Sequence, residues 1–197
     1  YAGEGQEEVC TTNVEKLKSI LKKAYPNGLI CEFSSSEFNP INWPRNSIVI
    51  LPEGKCSTWK WLNNPHQTAE LRYAVEKLGI SVLGIGAGAY ACCKESNFTI
   101  KDDPVLKHSR GLDFFQGKGI GPLISAQYPN PSGINPEPIQ LKWQSSQQKG
   151  YAVLAGGGYF VADSSESQPL HYEVLATYSD QPQDKSIAVV KCQAGKG

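Results

Sequence analysis

Methionine is absent from the chain, histidine occurs three times, and neither sign of charge prevails, with 19 Lys and Arg against 19 Asp and Glu. There is no basic stripe or acidic tail, so the electrostatic footprint of a nucleic-acid or membrane-surface protein is missing. No apolar run approaches the roughly 18 residues that a membrane span needs. The opening "YAGEGQEEVC" lacks a basic segment followed by an apolar one, the mark of a secretory leader. The chain as given therefore reads as soluble, with neither nucleic acid nor membrane as a partner. His66, His108 and His171 stand in three separate segments without metal-ligand spacing, so no metal site is expected. The six cysteines (Cys10, Cys31, Cys56, Cys92, Cys93, Cys192) contain no C-x-x-C pair and fall mostly in apolar stretches. They read as small buried hydrophobes rather than as a disulfide framework, which a core of this size does not need.

What is present is a pattern of elements. At 197 residues the expectation is one domain spanning 1–197, with both ends reading as cut. "TTNVEKLKSILKKAY" carries Val14, Leu17, Ile20, Leu21 and Ala24 at helical spacing, and Thr12 with Glu15 forms a capping-box pattern. "LICEF" and "SIVIL" read as strands, the second apolar enough to be covered on both faces. A helix is expected to open at Pro65 with Asn64 as its cap, to present Leu71, Ala74, Val75 and Leu78, and to stop at Gly79. "ISVL" follows as another buried strand. Strands alternating with helices imply right-handed crossovers and a parallel sheet. The second half changes character: "GLDFFQGKGIGPL", "PIQLKW", "YAVLAGGGYFV", "HYEVLATY" and "SIAVVKC" are strand-like runs between turn residues, which suggests antiparallel additions. The glycines of "GKGIG" and "GGGY" read as turns where backbones approach closely.

The stretch "ISVLGIGAGAYACCKES" admits three readings. Gly84-x-Gly86-x-x-Ala89 after a strand fits a dinucleotide-binding loop, with Asp102 or Asp103 near the distance of a ribose-binding acid. Alternatively, Gly84-Ile85-Gly86-Ala87-Gly88 has the form of a nucleophile elbow, a tight strand-to-helix turn, with glycine where the nucleophile would stand. Glycine brings no thiol or hydroxyl, so nucleophilic chemistry cannot start there. In the third reading, Gly86 and Gly88 simply allow strand and helix to pack. The helix after the turn is expected from about Ala87 to Ser96, with Cys92 and Cys93 along it as core. Trp59 and Trp61 are candidates for a lid over this turn or for an interface patch.

The ordered set "VILPEGKCSTWKWL", "VLGIGAGAYACCKES", "LDFFQGKGIGPL", "YAVLAGGGYFV" and "YEVLATYSDQPQDKSIAVVKCQAGKG" resembles the N-terminal domain of biotin-protein ligases and its stand-alone bacterial relatives, within the class I glutamine amidotransferase-like superfamily. The resemblance covers most of the chain. It implies an α/β, flavodoxin-like three-layer sandwich with a mainly parallel sheet and antiparallel additions in the C-terminal half. "YAGEGQ" would then close the first strand, and Trp43-Pro44 would precede the third. Family members read G-I-C-A-G-A-Y at the elbow, so the cysteine position falls on Gly86, and the superfamily's His-x-Glu, expected after the last strand, is not reached before Gly197. With nucleophile and base missing, no catalytic residue is assigned and no cofactor is expected. The remaining candidate ligand-binding residues are the amides of Gly54 and Ala87, with Gly86, Tyr90, Glu53 and Glu4 around them. The expected partner is a small carbonyl or carboxylate ligand, or a protein, held at the vacated elbow. A hydrolase or amidotransferase relative that uses another group, or a nucleotide-binding protein, stands as the alternative. The compartment is left open, with the cytoplasm favoured.

Overall fold

The computed structural model describes residues 7–53, 60–98, 106–108, 112–123, 137–154, 157–163 and 172–197, and among these the side chains of 7–13, 35 and 106–108 are excepted. The chain divides into two compact units, Tyr1–Ala91 with Ala194–Gly197 and Cys92–Gln193. The second is thus an insertion, after which the last four residues return to the first.

Unit 1 begins with helix α1, Glu7–Ala24. It starts a turn before the expected cap, so Thr12 lies inside the helix instead of opening it. Val14, Leu17 and Leu21 are half-buried along one face, whereas Ile20 is exposed. Lys22 and Lys23 in the last turn oppose the negative end of the helix dipole. Lys18 bonds both Glu15, at 2.9 Å, and Glu32, at 2.5 Å, and these two hydrogen bonds raise its pKa. "LICEF" does not form the strand expected of it: residues 29–34 are irregular and Leu29 is exposed. A strand needs a ladder partner, and Phe33 instead turns into an aromatic cluster. Its ring lies 5.7 Å from Phe38 and 4.9 Å from Trp43. Phe38 in turn stacks on Trp61 at 4.4 Å with an 11° interplanar angle. Trp61 is wholly buried.

Strand β1, Ile48–Leu51, pairs in parallel with β2, Ser81–Gly84, in the register Ile48↔Ser81 to Leu51↔Gly84. Val49 and Leu51 are buried, while Ile48 and Leu83 remain exposed, so the pair is not covered on both faces as expected. Between the strands, helix α2 spans Pro65–Tyr73 and continues as a π-helical turn, Ala74–Leu78. Its start follows the sequence signals: the Asn64 side chain accepts a hydrogen bond from the His66 amide at 3.0 Å, and Pro65 occupies the first position, where no amide donor is required. Thr68, Leu71, Ala74 and Val75 form the buried face. Gly79 ends the helix with φ +78°, the left-handed conformation glycine adopts freely. The returning C-terminus is tied here, the Lys196 amide donating to the Glu76 carbonyl at 3.1 Å. After β2 comes α3, Ala87–Ala91.

Unit 2 is built of strands. One sheet has the order β4-β3-β5-β8, comprising Leu106–His108, Cys93–Phe98, Phe115–Gly121 and Tyr159–Ala162. The other has the order β10-β9-β6-β7, comprising Ile187–Cys192, Tyr172–Tyr178, Glu137–Trp143 and Lys149–Leu154. Among the described residues of this unit, only β3 and β5 pair in parallel. Across the described residues there are five antiparallel pairings and two parallel ones, so the fold is a mixed α/β arrangement rather than one with a mainly parallel sheet. The antiparallel runs expected in the second half are found, though "GKGIG" lies within β5 and is not a turn. Ile139, Leu141 and Tyr178 centre one core, joined by Leu123, Ala152, Leu154, Tyr159 and Ala188. Phe115 packs edge-on against both Phe160 and Tyr172.

Candidate functional site

The register of the parallel pair places two turns side by side in unit 1. Leu51 lies opposite Gly84, and the Ile85 amide extends the ladder by donating to the Leu51 carbonyl at 2.9 Å. Two residues past each strand end, Glu53 and Gly86 face one another. This is the carboxyl edge of a parallel pair, where loops rather than ladder partners take over.

The glycines of the turn have different causes. A Cβ on Gly84 would lie 2.6 Å from the Ala89 Cα, so the strand end and α3 are too close for any side chain. A Cβ on buried Gly88 would overlap the Leu51 carbonyl, its carbon at 2.6 Å, which sets α3 against β1. Gly86 is exposed and takes φ +55°. Its carbonyl accepts from the Ala89 amide at 3.0 Å and the Tyr90 amide at 3.2 Å, so it starts α3. A Cβ built on it would meet Glu53: 2.9 Å to Cβ, 3.5 Å to Cα and 3.9 Å to Oε2. A sharp strand-to-helix turn with a positive-φ residue at its tip is thus present. It carries no side chain of its own, and the exposed carboxylate of Glu53 lies beside the tip.

Of the six expected residues, the structure brings Glu53, Gly86, Ala87 and Tyr90 together in one stretch of unit 1, with Ala87 and Tyr90 half-buried on α3. Gly54 and Glu4 lie outside the described residues, as do Trp59 and Cys56. Among the described residues neither the Gly86 nor the Ala87 amide has a backbone acceptor. The helix behind them has five residues, not the ten or so expected, because Cys93–Phe98 turns into a strand. Cys92 and Cys93 therefore do not lie along a helix. Cys93 is 1% exposed at the head of β3, and burial pushes its thiol well above the ordinary range. Burial likewise raises Cys92 to about 12, with nearby Cys192 adding to the shift, and Cys192 itself to about 11. The four described cysteines are free thiols, and those three are poor nucleophiles at neutral pH. Trp61 belongs to the core and not to a lid.

Within the glycine fingerprint, Gly84 is required by strand–helix packing, as is Gly88 beside it. Asp102 and Asp103 lie outside the described residues. Among the described residues no cluster of His, Cys, Asp or Glu could hold a metal ion, and His66 is an exposed helix residue 3.2 Å from Glu70. No helix among the described residues is long and apolar enough to cross a membrane. Sequence reasoning placed Glu53 around the elbow but missed its direct steric contact with Gly86. The signal was available only through the register, since each residue follows its strand by the same two positions.

Comparison with known proteins gives a consistent result. The family model described as "Biotin-protein ligase, N terminal" matches residues 1–197. The chain is similar to a biotin-protein ligase of Schizosaccharomyces pombe, 25% identical over 206 residues that cover 100% of this chain and 31% of the relative. It is also similar to an uncharacterized protein of Chlamydia muridarum, 28% identical over 137 residues that cover 68% of this chain and 51% of the relative. The chain thus spans about a third and about half of the length of these two curated relatives. The ordered motifs, the turn after β2 and the match over its whole length agree: this chain belongs to the biotin-protein ligase N-terminal family.

Proposed function

We propose that the chain is a non-catalytic member of its family, a single class I glutamine amidotransferase-like domain of flavodoxin-like layering, which binds a small ligand or a protein partner at a nucleophile elbow without its nucleophile. The observation that carries this reading is the turn itself. Its positive-φ tip is exposed and bears no side chain, although the glycines on either side are explained by packing. The Gly86 and Ala87 amides offer donors to a carbonyl or carboxylate oxygen, and the Glu53 carboxylate offers an acceptor next to them. Glutamine, which carries a carboxylate, a carbonyl and an amide donor, is therefore the first ligand to try. Free thiols go with a cytoplasmic setting.

A thermal-shift titration with glutamine, ATP, NAD and biotin tests the reading. Glutamine or a related carboxylate should raise the melting temperature, since a ligand at a hundred times its dissociation constant stabilises by about 2.7 kcal/mol. A shift with NAD alone would overturn the elbow reading in favour of a nucleotide site. Measurable glutaminase activity would overturn its non-catalytic part.

A further inference from the structure

We infer that Glu53 and Gly86 are a sterically coupled pair, in which Glu53 occupies the room that any side chain at the elbow tip would need and so determines what that tip can carry. The inference rests on reading residues 84–88 as an elbow, and it holds whether or not a ligand binds there.

Backbone conformation alone does not require glycine at position 86. Its φ of +55° is close to those of Asn46 at 62°, Asp113 at 50° and Gln147 at 56°, so the angle strains a side chain without excluding one. The obstacle is the neighbour. A Cβ at 86 would approach the Glu53 Cβ to 2.9 Å, closer than packed carbon atoms come. The obstructing atom is fixed by the main chain and does not belong to a swinging tip. Rotating the Glu53 side chain would move Oε2, 3.9 Å away, but not Cβ. Truncating Glu53 to alanine therefore leaves the obstruction in place, and only glycine at 53 removes it.

Two consequences follow for the site. A thiol or hydroxyl cannot be installed at 86 by one substitution without displacing the β1 loop. The carboxylate beside the elbow tip favours a ligand that turns a donor such as an amide or an amine toward it, as the side-chain amide of glutamine can.

A double-mutant cycle on the full chain, read by thermal melting without ligand, tests the coupling. Gly86→Ala should lower the melting temperature by about 5 °C in the parent and equally in an Glu53→Ala background. In a Glu53→Gly background the same change should cost less than half as much. An equal cost in all three backgrounds would overturn the inference, as would relief by Glu53→Ala as complete as that by Glu53→Gly. If the Gly86→Ala protein does not fold, the cycle is read as folded yield, and failure of the Glu53→Gly/Gly86→Ala protein to recover is the overturning result. Since no ligand enters the cycle, its failure is separable from failure of the binding reading.

Discussion

Two runs of alternating glycine, Gly84, Gly86 and Gly88 in unit 1 and Gly117, Gly119 and Gly121 in unit 2, look alike in sequence. In unit 2 all three are buried within the extended strand β5. A Cβ on Gly117 would meet the Phe115 ring at 2.6 Å, and one on Gly121 would meet the Phe98 ring and, at 2.8 Å, the Gly157 carbonyl. Both are packing glycines. In unit 1 the outer two are the same, but Gly86 is exposed, left-handed and obstructed only by one loop side chain. The difference teaches that a glycine run marks close approach by default, and that exposure together with positive φ singles out the member that strand–helix packing does not explain. Polar chemistry divides in the same way. In unit 2 the pairs Lys94–Asp163 and Lys118–Glu95 join strands or their ends, and the Tyr178 hydroxyl donates to the Gly158 carbonyl at 2.7 Å.

The largest expected effect separates the packing glycine Gly88 from the exposed Gly86. Gly88→Ala would press a methyl group onto the Leu51 carbonyl, which β1 and its ladder hold in place. It should destabilise by about 3 kcal/mol in chemical denaturation, the upper part of the range for overpacked sites. A cost below about 1 kcal/mol would show that α3 is free to move off β1, and would remove the basis for treating Gly84 and Gly88 as packing residues.

How much of this was legible beforehand depends on whether the cause was local. Helix α2 was readable end to end, from Asn64-Pro65 through Leu71, Ala74 and Val75 to Gly79, because caps and a buried face are encoded in neighbouring residues. Strands β5 to β10 were readable from short apolar runs between turn residues. Strand β3 was not: "CKESNF" has no two-residue alternation, its buried positions being Cys93 and Ser96, and it continues from α3 as a helix would. Its strand conformation comes from pairing with β4 on one side and β5 on the other, which is tertiary information. For the same reason "LICEF", with strand-like composition, stayed irregular. At the site, the glycine tip could be read from motif spacing, but the Glu53 contact is a consequence of register between residues 33 positions apart.

A middle-sized effect tests the other side of the comparison. In unit 2 burial raises Tyr178 to about 12, Cys92 to about 12 and Cys192 to about 11. Each group is neutral when folded and ionises earlier when unfolded, so its contribution is complete below the unfolded pKa and is lost as pH rises through the folded one. Stability should therefore be flat to about pH 8.5 and then fall, by about 1.4 kcal/mol per pH unit for each group that ionises only in the unfolded chain. Urea denaturation at a series of alkaline pH values measures this. Tyr178→Phe should flatten the part between about pH 10 and 12. An unchanged slope there would mean that the hydroxyl is not shielded as the structure has it.

The smallest effect belongs to Asn64, whose side chain satisfies the His66 amide at the start of α2. Asn64→Ala removes that acceptor and should cost about 1 kcal/mol, whereas Asn64→Asp or Asn64→Ser keeps it and should cost a few tenths. The prediction is sharper than its size suggests because the alternative explanation of α2 is tertiary. Leu71, Ala74 and Val75 are almost fully buried, and if burial alone held the helix, loss of the cap would fray only its exposed first turn. Thr68 argues otherwise: its hydroxyl bonds back to the Pro65 carbonyl at 3.0 Å while its own side chain is buried, so the first turn is joined to the core one turn later. Fraying at Asn64 would therefore expose Thr68. Hydrogen exchange in Asn64→Ala should quicken at the Thr68 amide as well as at His66, and acceleration confined to His66 would assign the helix to its apolar face alone.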